Sequence, residues 1–240
     1  MSVELTNRPA DPRVICALDV PTGDQARALV DRLGDSVVFY KIGLQLFATG
    51  GMGLARELKA QGKQVFLDWK LHDIGATVEK AAAALAGSGC DLLTVHARPQ
   101  VMAAAMRGVA GSGLKVLGVT VLTSLTDADL RADDHGLNAA DLVEHRVRQA
   151  LDVGLHGVVA SPVEAKRVRE LASAAGRDDF LIVTPGVRPA GAAMDDQARA
   201  ATPQQALSDG ATHLVIGRPI TAVADPRAAA GAIAASIALI

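Results

Sequence analysis

Gln64-Val65-Phe66-Leu67-Asp68-Trp69-Lys70-Leu71-His72-Asp73-Ile74-Gly75-Ala76-Thr77 decides how this chain is read. Its first four residues are an apolar run that predicts a short buried strand, and residues 78–86 predict a helix. Asp68, Lys70 and Asp73 therefore stand where a strand leaves a hydrophobic core. Asp68 and Lys70 are two apart, so an extended backbone points both to one side and sends Trp69 the other way, into packing. Charge beside a core is costly unless paired. Two readings remain open at this point: a structural ion pair with Asp73 as a helix N-cap, or an active site.

The same unit recurs outward in both directions. Apolar runs at 14–18, 37–40, 91–95, 116–122, 157–160, 180–184 and 213–216 alternate with helical patterns at Gly23–Leu33, 50–60, from Pro99, 139–153, 163–174, Pro203–Ser208 and Pro226–Ile237. With the opening stretch this makes eight strand candidates and eight helix candidates. The runs are near-continuous rather than alternating, as strands buried on both faces require. The expected fold is a (β/α)8 TIM barrel, one domain over residues 1–240. An open doubly wound sheet is the alternative, although no GxGxxG follows the first run. The segments 125–138 and 189–202 are long and non-helical in pattern, and loops of that length are commonly functional.

Composition narrows the function classes. The 240 residues are 50% hydrophobic, with net charge −2 and no basic block, which gives nucleic-acid binding no electrostatic support. Aromatic residues make up only 2% of the chain, too few for base-stacking platforms. Cys16 and Cys90 lie far apart in apolar surroundings and read as inert core residues, with no disulfide framework. The histidines have no paired ligand spacing and the carboxylates are interleaved with lysines, so no metal site is expected. The N-terminus lacks an apolar signal core and the tract 228–240 is too short to span a bilayer, so a cytoplasmic protein without membrane contact is expected.

Polar residues gather at the run ends: Asp19, Lys41, Asp68 with Lys70, His96, Thr123, Arg188 and Gly217-Arg218. In a barrel these ends share one face, the catalytic one. Pro185-Gly186-Val187-Arg188 and Gly217-Arg218 follow the seventh and eighth runs, where barrels commonly hold phosphate. Glycine lets backbone N–H groups approach an anion and the Arg forks grip its oxygens; turn glycines and rim arginines are the plainer alternative. Lys41, Asp68, Lys70 and Asp73 alternate in sign. An ammonium in such a set can hold a developing carbanion and then donate its proton, while a neighbouring carboxylate disfavours a substrate carboxylate beside it. His72 reads as local scaffolding; His96 reads equally as structural or as support for the site.

With these residues in view the chain resembles the bacterial orotidine 5′-phosphate decarboxylases. The resemblance rests on Ala17-Leu18-Asp19, Tyr40-Lys41-Ile42-Gly43, the stretch from Asp68 to Thr77, and Val119-Thr120-Val121-Leu122-Thr123-Ser124. It continues through Thr184-Pro185-Gly186-Val187-Arg188, Asp196-Gln197-Ala198-Arg199, Thr202-Pro203 and Ile216-Gly217-Arg218. It implies a cofactor-free decarboxylation of a nucleotide substrate, orotidine 5′-phosphate, in pyrimidine biosynthesis. Lys70 would protonate C6, Asp68 would face the substrate carboxylate, and Lys41 would link the charges and meet the ribose. Asp19 would bind a ribose hydroxyl and Thr123, beside Ser124, the pyrimidine edge. Arg188, Gly217 and Arg218 would hold phosphate, with Gln197 bridging phosphate and base. Asp73 and Thr77 would reach into the neighbouring site of a homodimer. The rivals are a metal-dependent sugar-phosphate decarboxylase or aldolase of the sister group, which carries a carboxylate where Lys41 stands, and a non-catalytic phosphoribosyl-ligand sensor.

Overall fold

A computed structural model describes residues 10–189 and 201–240. Among them, eight parallel strands close in chain order: β1 (Val14–Ala17), β2 (Phe39–Ile42), β3 (Gln64–Leu71), β4 (Leu92–His96), β5 (Lys115–Val119), β6 (Gly157–Val159), β7 (Leu181–Pro185) and β8 (His213–Ile216). Closure is direct, because Ile15 of β1 pairs with Phe39 of β2 on one side and Val215 of β8 on the other. The chain is therefore a (β/α)8 barrel and not an open sheet.

The helices are α1 (Gly23–Leu33), α2 (Leu44–Ala48), α3 (Gly51–Ala60), α4 (Gly75–Ala86), α5 (Pro99–Gly108), α6 (Asp127–Ala132), α7 (Ala139–Asp152), α8 (Ala165–Ala174), α9 (Pro203–Ser208), α10 (Arg218–Thr221) and α11 (Pro226–Ile237). Local chemistry explains their starts. The Thr22 hydroxyl accepts from the Gln25 N–H ahead of α1, Asp225 caps α11 at Ala228, and Pro99 opens α5 where no N–H is needed. In α1 the buried face is Ala26, Leu29, Val30 and Leu33, one helical stripe.

Strand parity positions the site. Ile15, Ala17, Phe39, Phe66, Leu92, Leu117, Val183 and Val215 form a cluster of their own inside the barrel. Counting on by two from Phe39, Phe66 and Leu92 sends Lys41, Asp68 and Thr94 inward as well. The odd partners, among them Tyr40, Val65, Leu67 and Leu93, join the outer core beneath the helices. Both cysteines are free and buried; burial, the largest influence on each, raises both thiols, Cys16 to about 12, and leaves them inert near neutral pH. No helix among the described residues is long and apolar enough to cross a membrane.

Several elements differ from the sequence reading. β5 stops at Val119 rather than at residue 122, because β6 offers partners only as far as Val159. β3 runs on to Leu71, but its register against β4 shifts between Leu67 and Leu71, and Lys70 takes a left-handed φ of 50°. α2, α6 and α10 are short helices inside stretches read as loops. α4 begins three residues earlier than expected, at Gly75.

His213 lies at the N-terminal end of β8, its ring edge-on to Phe39 at 5.9 Å between centroids. Burial, then the charge of Lys115, pushes its pKa down to about 4 against a partial opposing pull from Asp11. The unfolded chain takes up a proton there near pH 6.5, whereas the folded chain does not until about pH 4. Stability is therefore whole above about pH 6.5 and falls as the pH drops towards 4, by up to about 3 kcal/mol. We expect His213→Gln to flatten that slope in urea unfolding measured from pH 7 to pH 4.5; an unchanged slope would refute it.

Candidate active site

The C-terminal strand ends surround a cavity of about 490 Å³. Its floor is apolar, made by inward residues Ala17, Phe66, Val119, Val159 and Val215. Its walls divide by charge.

On one side, four groups of alternating sign form a chain. Lys41 Nζ lies 2.9 Å from Asp19 Oδ1 and 3.6 Å from Asp68 Oδ2, and Lys70 Nζ lies 2.9 Å from Asp68 Oδ1. Lys41 is buried and Asp19 is the exposed end. Burial alone would raise the Asp68 pKa; the charges of Lys41 and Lys70, with hydrogen bonds from Lys70 and Thr94, outweigh it and hold the carboxyl below its ordinary value. Asp68 is thus an anion by design of its neighbours. Gly43 leaves room for the pair ahead of it: a Cβ there would stand 3.0 Å from Asp19 Oδ1 and 3.1 Å from Lys41 Nζ.

The opposite wall is cationic. Gly186, Arg188, Gly217 and Arg218 all line the cavity. Arg188 is 8% exposed, donates through Nη1 to the Val187 carbonyl, and buries an Nε that has no partner among the described residues. A ligand anion reaching this donor would satisfy it. Gly186 holds φ 79°, a turn that brings backbone rather than side chain to the cavity. Thr123 and Ser124 form the wall between the two ends.

Asp73 and Thr77 are not brought to this cavity. Both are exposed on the stretch leading into and through the first turn of α4. Among the described residues Asp73 accepts only from the adjacent Ile74 N–H, at 2.6 Å, and does not cap the helix in the usual sense, which disposes of the N-cap reading. Ile74 beside it is 72% exposed, and Leu44 and Phe47 are exposed too. Phe47 lies over the buried Trp69 at 4.5 Å between centroids, so Trp69 packs away from the pocket as its parity requires. Gln197 lies outside the described residues.

His96 ends β4 pointing inward but borders a neighbouring hollow of about 230 Å³ with His72, Arg98 and Arg146 rather than the main cavity. Burial first, then His72 and nearby cations, lowers its pKa. Among the described residues, no group of three or more His, Cys, Asp or Glu side chains is arranged to hold a metal ion. Sequence reasoning missed Thr94 and Gly43. Thr94 had one available signal, a hydroxyl two residues along from an inward Leu92 in an otherwise apolar run.

Comparisons with known proteins bear on the family and the fold. A relative from Caulobacter vibrioides (strain NA1000 / CB15N), named orotidine 5′-phosphate decarboxylase, is 66% identical over 221 residues, covering 92% of this chain and 95% of that one. One of the same name from Cereibacter sphaeroides is 56% identical over 232 residues, covering 95% and 98%. The crystal structure of orotidine 5′-phosphate decarboxylase from Lactobacillus acidophilus superposes with a TM-score of 0.82 at 39% identity, covering 95% of this chain and 99% of that one. Residues 12–233 match the model of one family, and with relatives this close along nearly the whole chain, it belongs to the orotidine 5′-phosphate decarboxylase / HUMPS family.

Proposed function

We propose that this chain is a carboxy-lyase that converts orotidine 5′-phosphate to uridine 5′-phosphate in pyrimidine biosynthesis. One observation carries the reading: a single cavity has an ionised Asp68 bracketed by two ammonium groups at one end and a buried, under-partnered Arg188 at the other. Phosphate held by Arg188, Arg218 and the backbone around Gly217 anchors the nucleotide far from the reacting carbon. That remote binding energy can be used to press the C6 carboxylate towards Asp68, where two anions repel. The C6–carboxylate bond breaks, CO₂ leaves, and its electron pair stays on C6. The Lys70 ammonium stabilises that charge and delivers its proton to C6; the neutral amine then regains a proton from water.

In this scheme Asp19 and Lys41 meet the ribose and Thr123 with Ser124 meets the pyrimidine edge, as the cavity lining supports. Gln197 bridges phosphate and base. Residues 1–240 act as one catalytic domain, in the cytoplasm, with the phosphorylated substrate. We further assign a homodimer with shared sites, in which Asp73 and Thr77 complete the partner's charge set. Their exposure, together with that of the apolar Ile74 next to Asp73, supports this. No cofactor or metal enters the scheme. Lys41 supports that choice, since its ammonium stands between Asp19 and Asp68 where a sister enzyme would place a carboxylate and its metal.

Loss of orotidine 5′-phosphate followed by ultraviolet absorbance, with and without chelator, tests the proposal. Equal turnover in both is expected. Activity that vanishes with chelator would favour the metal-dependent sister chemistry, and binding without turnover would favour a sensor.

A further inference from the structure

We infer that Thr94 is a positioning residue, whose single hydroxyl sets the Asp68 carboxylate and the Lys70 backbone in one fixed relation. The inference rests on the proposed function for its kinetic part only. Thr94 is fully buried, in the middle of β4, and points into the barrel between Leu92 and His96. Its Oγ1 accepts from the Lys70 N–H at 3.0 Å and donates to Asp68 Oδ1 at 3.0 Å. The same Asp68 oxygen receives the Lys70 ammonium at 2.9 Å. The result is a closed ring: Lys70 backbone, Thr94 hydroxyl, Asp68 carboxylate, Lys70 side chain.

The ring sits where β3 needs it. The register shift against β4 takes the Lys70 N–H out of the ordinary ladder, and Lys70 holds a left-handed φ of 50°, a conformation that persists in an L-residue only when its surroundings fix it. A hydroxyl suits this place because it donates and accepts at one atom. Valine has nearly the same shape and can do neither. The charged groups facing Asp68 are Lys41 from β2 and Lys70 from β3, with Asp19 behind Lys41; Thr94 is the uncharged contribution from β4.

Thr94→Val and Thr94→Ser test the inference. For valine we expect kcat on orotidine 5′-phosphate to fall about 10- to 30-fold, with KM changed less than about 3-fold. Serine should restore kcat to within about 3-fold of the parent. The Asp68 carboxyl, followed by ¹³C NMR and identified with Asp68→Asn, should titrate at higher pH in the valine variant and stay near the parent in the serine variant. A purely structural bond would lower thermal stability and leave kcat and that titration unchanged, which would overturn the inference. So would a kcat loss that serine fails to rescue. If the parent itself does not turn over orotidine 5′-phosphate, the functional reading falls, yet the titration still decides for or against Thr94. Should the valine variant not fold, Thr94→Ala, which leaves space for water, is judged by the same readouts.

Discussion

Lys70→Ala is expected to lower kcat for orotidine 5′-phosphate by on the order of 10⁴-fold or more, while the Kd for uridine 5′-phosphate changes less than about 10-fold. The two readouts separate because the cavity is bipartite. Lys70 belongs to the Asp19–Lys41–Asp68 chain, and the proposed phosphate grip is made by other residues of the lining, Arg188 and Arg218. Without the ammonium, the carbanion loses both its nearest positive charge and its proton source. Asp68 keeps Lys41 at 3.6 Å and the Thr94 hydroxyl, so the pocket remains charged but can no longer finish the reaction. Ultraviolet assay gives kcat and calorimetry gives Kd; near-normal turnover would remove Lys70 as the proton donor. A second variant separates chemistry from backbone strain. Lys70→Gly should be equally inactive but more stable to urea than Lys70→Ala by about 1 kcal/mol, because φ 50° burdens alanine and not glycine.

The barrel was legible because its strands are buried on both faces, and continuous apolar runs report that directly. The polar residues at the ends of those runs were equally plain, and Asp19, Lys41, Asp68, Lys70, Thr123, Arg188, Gly217 and Arg218 all reach one cavity. What stayed hidden depends on three-dimensional neighbours. That Asp19 joins the charge chain through Lys41 follows from β1 lying beside β2 in the register Ala17↔Lys41, which no local pattern reveals. The bulge at Lys70 was invisible because lysine, unlike glycine, carries no sign of a positive φ. Thr94 was masked by its own shape: a β-branched residue in a strand reads as propensity before it reads as a hydroxyl. α2 and α10 span five and four residues, too few for a helical period to declare itself. α6 did carry a capping box, Thr126 with Asp129, inside a segment whose polarity suggested loop.

Mixing two inactive chains, Lys70→Ala and Asp73→Asn, should recover activity. Each site in the proposed dimer takes Lys70 from one chain and Asp73 from the other. A mixed dimer then holds one site with both changes and one with neither, so one site in two works; random equal mixing restores about a quarter of all sites. If Asp73 served its own chain, every site in every dimer would carry a lesion and mixing would restore nothing. The placement of Asp73 favours the first outcome. It is exposed, accepts among the described residues only from its neighbour Ile74, and does not line the cavity that holds Lys70. Asp73 and the apolar Ile74 beside it are both exposed, Ile74 at 72%. A second copy of the chain covering that face would bury them and carry Asp73 towards the neighbouring Lys70. Exchange between the two variants must be shown in the same samples, by mass-tagged chains; recovery that tracks the fraction of mixed dimers supports the shared site. Absence of recovery where mixed dimers have formed would return Asp73 to the charge set of its own chain, beside Asp19, Lys41, Asp68 and Lys70.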